Sequence, residues 1–204
     1  MKHLYGVLLA VVTLCPSARA GTIAVQFDEY LGSFTPSEFA LGFEFTVNSP
    51  WFTVTQLGVL DLDQDGLLQD QMVGLWDSSG NLLASTAVTD ADPLAGLFRF
   101  HSITPVFLFL GANYSVASQG GEGYAFDPVD PVFGPQLTYV TDRYHFNGNT
   151  DATPLVFPES TDNGAAGLGY FGANLQYQVP EPSTYALLGA GLVALGLARR
   201  RVRR

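Results

Sequence analysis

The sequence predicts an all-β fold, a single β-sandwich of jelly-roll type over residues 21–178. A signal peptide (1–20) precedes it, and a C-terminal segment (179–204) carrying a transmembrane helix closes the chain. Three observations point to this. Charged residues make up only 14% of the chain, while Gly and Pro number 22 and 12, a balance that suits many turns. Between the two ends no amphipathic helical period is found. In its place come short runs of β-branched and aromatic residues, broken by Gly, Pro, Asn and Asp.

Taken in order, strands are expected at 22–27, 39–47, 52–60, 72–76 and 82–88. Further runs lie at 97–103, 106–110, 114–117, 137–140, 144–146, 155–157 and 170–179. Phe43, Phe45 and Val47 alternate with Glu44 and Thr46, and Phe98-Arg99-Phe100-His101 alternates likewise; period two marks a half-buried strand. Asp77-Ser78-Ser79-Gly80-Asn81 reads as a hairpin turn. Residues 119–135 are rich in Gly and Pro and are expected to form a long loop. No crossover helices are available to build a parallel α/β sheet.

The first twenty residues look like an export signal. Lys2 and His3 lead an apolar run from Leu4 to Leu14, and Ala18-Arg19-Ala20 supplies an A-x-A cleavage site. Cys15 is the only cysteine, and bulky Leu14 before it argues against lipid attachment there. Cleavage after Ala20 leaves a body without disulfide, thiolate nucleophile or cysteine metal site.

Charge is unevenly placed. Between Gly21 and Gln178 the only basic residues are Arg99 and Arg143, against 18 acidic ones, a net −16. A field of that sign repels phosphate backbones and argues against a nucleic-acid partner. Catalytic motifs are not apparent: no G-x-S-x-G elbow and no H-E-x-x-H. His101 and His145 both lie in strand-like runs among aromatics and are expected in a packing or surface role rather than in catalysis. Trp51, Trp76, Tyr124 and Tyr144 are candidates for a sugar-stacking platform, with core packing the ordinary reading of Trp76. No cofactor is expected beyond a weak calcium ion.

That ion is suggested by residues 61–70. Asp61, Asp63 and Asp65 with Gly66 have the D-x-D-x-D-G spacing of a calcium loop, in which alternate carboxylates converge on one ion. Met72 stands where an EF-hand needs its bidentate Glu, and no exiting helix is visible, so an EF-hand is disfavoured. Two readings stay open. One is an acidic turn with solvated Asp side chains; the other is a weak extracellular-type site on Asp61, Asp63 and Asp65, completed by Asp70 or a carbonyl.

The tail is the most specific signal. Val179-Pro180-Glu181-Pro182-Ser183 opens it, and residues 183–198 carry no charge. Arg199, Arg200, Arg201, Arg203 and Arg204 close it. Sixteen helical residues cover about 24 Å, short of a ~30 Å hydrocarbon core, a gap that snorkelling Arg side chains can make up. The basic cluster holds the C-terminus on the cytoplasmic side. This order of parts resembles the PEP-CTERM sorting signal, also catalogued as an ice-binding protein C-terminal motif. The resemblance implies recognition of Pro180, Glu181 and Pro182 by exosortase, a membrane-embedded transpeptidase-like enzyme, and removal or transfer of the segment after Ser183. Residues 52–88 and the segment after them resemble DUF4082-type β-sandwich modules of bacterial surface proteins. The shared elements are Leu57-Gly58-Val59, Asp65-Gly66-Leu67, Val73-Gly74-Leu75-Trp76-Asp77, Gly80 with Leu82-Leu83-Ala84, and Gly111 with Tyr114.

Together these imply an exported surface or matrix protein, membrane-anchored until exosortase processes it. It is expected to be non-catalytic and associated with exopolysaccharide or adhesive. The alternative is a secreted carbohydrate-active enzyme using a carboxylate pair.

Overall fold

In the computed structural model the described residues are 21–34, 39–119, 124–146, 155–162 and 169–180, with 189–192, 195 and 199 in the tail. The body is built of strands: β1 (Thr22–Ile23), β2 (Val25–Gln26), β3 (Glu29–Phe34), β4 (Phe39–Val47), β5 (Phe52–Leu60), β6 (Gln71–Asp77), β7 (Leu82–Val88) and β8 (Leu94–Ala95). After these come β9 (Phe98–Leu108), β10 (Asn113–Gln119), β11 (Tyr124–Val129), β12 (Val132–Phe133), β13 (Leu137–Phe146), β14 (Tyr170–Phe171) and β15 (Ala173–Gln178).

Two five-stranded sheets, ordered β1-β15-β5-β9-β8 and β13-β4-β10-β6-β7, face each other across one hydrophobic core. Their pairings are antiparallel. Alternation decides which residues enter the core. Phe43, Phe45 and Val47 of β4 are fully buried, as are Val54, Leu57 and Val59 of β5. Phe52 stacks on Tyr177 at 4.1 Å between ring centres, joining β5 to β15 through their side chains as well as their backbones. A smaller sheet, β14-β11-β3, contributes Phe171 to the core, where it packs on Phe27, Phe43, Phe133 and Tyr139.

Several expectations need correction. The 119–135 stretch is not one loop, because β11 pairs with β3 and β14, and β12 pairs with β2. Asp127 within β11 and Asp130 between β11 and β12 adopt positive φ (45° and 46°), and Asp130 turns the chain from one strand to the next. Pro128 pairs with Tyr30 of β3 and has no partner on β14, whose pairing ends at Phe126. Runs 97–103 and 106–110 merge into β9, with Pro105 in a bulge between the Gln56–Ser102 and Val54–Val106 pairs. Runs 137–140 and 144–146 merge into β13 across a bulge at Val140. Residues 155–157 form no strand, although Ser160 bridges to Tyr144 just beyond.

β5 and β9 give the first sheet two unlike ends. One carries Trp51 and Leu108; the other carries Asp61 and Phe98. The body begins and finishes in this sheet, with β1 paired to β15.

Candidate functional site

The acidic loop grows out of the end of β5. The Asp61 N–H donates to the Leu97 carbonyl at 2.8 Å, so the chain is tied down just past the strand's last residue. Leu67 is buried in the core and staples the loop from its other side, while Leu68 next to it is exposed. Between them Gln64 (φ 60°) and Gly66 (φ 121°) turn the chain back on itself. Gly66 suits this position because its φ is hostile to a side chain, and a Cβ there would also push aside the exposed Asp90 carboxylate.

That turn brings Asp61, Asp63 and Asp65 together, with one oxygen from each within 4.8 Å of the others. Asp61 is the unusual member. Its side chain is wholly buried; Oδ2 accepts a 2.6 Å hydrogen bond from Arg99 Nε, and Oδ1 has no partner among the described residues. A buried, unpaired carboxylate oxygen is costly unless a proton or cation meets it. The Asp65 carboxyl is held above the usual carboxylate value, chiefly by the charge of Asp63 and a hydrogen bond between them, with Asp61 adding to it. A carboxyl raised in the folded state favours folding at low pH and loses that contribution as pH rises through its folded value. A bound cation removes the repulsion that causes the loss.

Arg99 organises the floor of this loop. Nη1 donates to the carbonyls of Asp90 and Asp92 at 2.9 and 3.0 Å, and Nη2 lies 3.9 Å from Asp90 Oδ1. Asp92 Oδ1 in turn is 2.9 Å from His101 Nδ1. Asp90 therefore lies against the loop although it is distant in sequence. Asp70 does not join the three converging carboxylates. Hard oxygen donors of this kind suit calcium rather than a soft transition metal. They form the one metal-competent group of His, Cys, Asp and Glu among the described residues.

The second cation of the body acts in the same way on the other sheet. Arg143 of β13 bonds Glu44 of β4 through Nε (2.8 Å) and Nη2, and Asn113 Nδ2 donates to the other Glu44 oxygen at 2.6 Å. Arg99 and Arg143 thus each neutralise a buried acid. Asp142, also buried, accepts bonds from the Thr141 and Thr161 hydroxyls and the Asp162 N–H.

The aromatic candidates separate. Trp76 is 3% exposed and packs on Phe157, as a core residue does. Tyr124 is buried, its hydroxyl bonded to Ser118 and its ionisation pushed up by burial. Tyr144 is half-buried and lines a cavity of about 290 Å³ with Phe39, Leu41, Asp162 and Tyr170. Trp51 is 56% exposed. The two histidines lie on different sheets, and His145 Nδ1 is 2.7 Å from Glu159 rather than near His101.

At the far end, β15 runs to Gln178, and Pro180 comes two residues later. Glu181, Pro182, Arg200, Arg201, Arg203 and Arg204 lie outside the described residues, as do the signal segment 1–20 and most of 183–198. Residues 189–192, 195 and 199 are helical, and among the described residues no helix is long and apolar enough to cross a membrane. Residues 178–204 match the PEP-CTERM protein-sorting motif, which marks exported proteins recognised by exosortase. No curated protein and no solved structure matches this chain.

Proposed function

We propose that this protein is an exported substrate of exosortase, held in the membrane by its tail until processed, and that its product is a non-catalytic β-sandwich of the cell surface or exopolysaccharide matrix. One observation carries the reading. The sorting motif starts at residue 178, the last residue of β15, so the signal adjoins the folded body almost without a linker. Pro180 and Pro182 cannot extend a helix inward from the membrane, so an extended Pro-Glu-Pro is presented between body and bilayer. In cells containing exosortase, mass spectrometry of the mature protein is expected to show a C-terminus near Pro182. Glu181→Ala should abolish that shortening. A surface-released protein still carrying Arg199 to Arg204 sinks the reading. Polysaccharide binding without turnover is expected of the body; release of reducing ends would place it among carbohydrate-active enzymes instead.

A calcium ion belongs to the same reading, supported by the unpaired Asp61 Oδ1 within the Asp61, Asp63 and Asp65 group. Extracellular modules bind at about 0.1–1 mM, so ~5 mM calcium should stabilise the body by about 1–2 kcal/mol through linkage. At this size each kcal/mol raises Tm by roughly 2–4 °C. The check is thermal unfolding of the 21–178 fragment, which omits no strand of the described residues. Asp63→Asn with Asp65→Asn should remove the calcium effect; equal Tm values in calcium, magnesium and chelator leave the loop a simple turn.

A further inference from the structure

The end of the sandwich opposite the acidic loop is apolar at its surface. Trp51 is 56% exposed, Phe109 67%, Leu110 60% and Phe107 44%. The three aromatic residues form one cluster, with Leu110 next to Phe109 in the chain: Trp51 and Phe107 rings are 6.0 Å apart, and Phe107 meets Phe109 edge-on at 5.3 Å. Trp51 has φ 65°, a left-handed conformation that costs a bulky residue energy and persists where the surroundings impose it. Three exposed aromatic or leucine side chains and a strained Trp are not needed by the core, which is complete without them.

Two further observations say what meets this surface. Residues 45–60 and 102–119, which surround it in sequence, contain no charged residue in a body of net −16. The tail also leaves the body here. Gln178 pairs with Thr53, and Thr53 pairs with Phe107 on its other side. Two strand spacings place Gln178 and Phe107 about 10 Å apart. The stretch from Gln178 to Ser183 reaches at most roughly 17 Å, so the entry of the tail into the bilayer is tethered close to the cluster.

We infer that Trp51, Phe107, Phe109 and Leu110 form a membrane-facing platform that rests in the lipid interface while the tail is inserted. The inference rests on the tail acting as the membrane segment. Trp is at home at the headgroup boundary, Phe and Leu insert just beneath it, and uncharged flanks avoid the desolvation that acidic ones would incur. Asp61, Asp63 and Asp65 lie at the other end of β5 and stay in water. The platform fixes the orientation of the body and holds the segment around Pro180 close to the membrane surface, where a membrane-embedded enzyme works.

The test uses the full chain reconstituted in phosphatidylcholine vesicles with brominated acyl chains. Flotation with the vesicles reports the tail, and tryptophan emission reports the platform, because Trp76 is buried and Trp51 is not. The expected result is flotation with blue-shifted, quenched emission, the quenching being lost in Trp51→Phe and weakened in Phe109→Ser, which leaves both tryptophans in place. Flotation with unquenched Trp51 that stays open to aqueous iodide overturns the platform alone. No flotation overturns both the tail reading and the platform. Emission that shifts with a soluble neutral oligosaccharide but not with bromolipid makes the cluster a sugar-stacking face and overturns the membrane proposal.

Discussion

Arg99→Met is expected to lower the stability of the body by about 3–5 kcal/mol, the usual loss when one partner of a buried ion pair is removed. Asp61 has no exposed side-chain surface, and among the described residues its carboxylate is met by Arg99, at 2.6 Å. The methionine fills most of the volume of the arginine stem, so the loss reports the guanidinium and its bonds rather than the packing. Arg99 also anchors the carbonyls of Asp90 and Asp92, so the turn beneath the loop loosens in the same variant. Chemical denaturation of the 21–178 fragment measures the change. Calcium then gives the sharper result. With the guanidinium gone, Asp61, Asp63 and Asp65 form a cluster of three carboxylates without a counter-ion, and millimolar calcium should restore more stability to Arg99→Met than it adds to the native sequence. A calcium effect no larger in the variant means that the ion does not reach Asp61.

Much of the framework is legible in the residues. β4, β5 and β7 occupy the expected runs, because turn-forming residues at their ends (Asn48 and Pro50 between β4 and β5, Asp61 after β5, Gly80 and Asn81 before β7) leave little freedom there. β3 and β11 are hidden for a physical reason. Glu29 to Phe34 has no alternation to display, and β11 contains Pro128 beside a positive-φ Asp127, features that ordinarily mark a loop. Their pairing is a tertiary event, decided by each other and by the docking of Phe171 in the core. At the candidate site the D-x-D-x-D-G spacing picks out the three residues whose carboxylates converge, Asp61, Asp63 and Asp65. It cannot show that Asp61 is buried, nor that Arg99 serves it from β9, 38 residues away. Asp70 is suggested by proximity in sequence, while Asp90 comes against Gly66 through the β7–β8 turn. Trp51 is a candidate by residue type alone; its exposure and its place beside the chain exit depend on the β5–β9 and β5–β15 registers.

Arg143→Met should cost about the same 3–5 kcal/mol as Arg99→Met, since it also strips a buried carboxylate of its cation. Glu44 retains one strong donor, Asn113 Nδ2 at 2.6 Å, but the oxygen that faced the guanidinium loses its bonds from Nε and Nη2. The site lies within the sheet, on the strand between β13 and β10, where the backbones cannot part to admit water freely. Arg143 Nη1 also donates to the Glu159 carbonyl at 3.1 Å, so the 155–160 segment loses a tether. The two variants separate a specific ion site from general relief of negative charge. Each substitution removes one positive charge from a body of net −16, and a diffuse counter-ion effect would stabilise both alike, with magnesium as good as calcium. Glu44 belongs to no converging group of carboxylates among the described residues, so Arg143→Met should unfold at the same denaturant concentration with calcium, magnesium or chelator once the shift that calcium gives the native sequence is subtracted. Arg99→Met should show an excess response, and to calcium alone. Equal rescue of both variants would show that the ion acts on the net charge of the body, and the Asp61 loop would then be no different from the rest of an acidic surface.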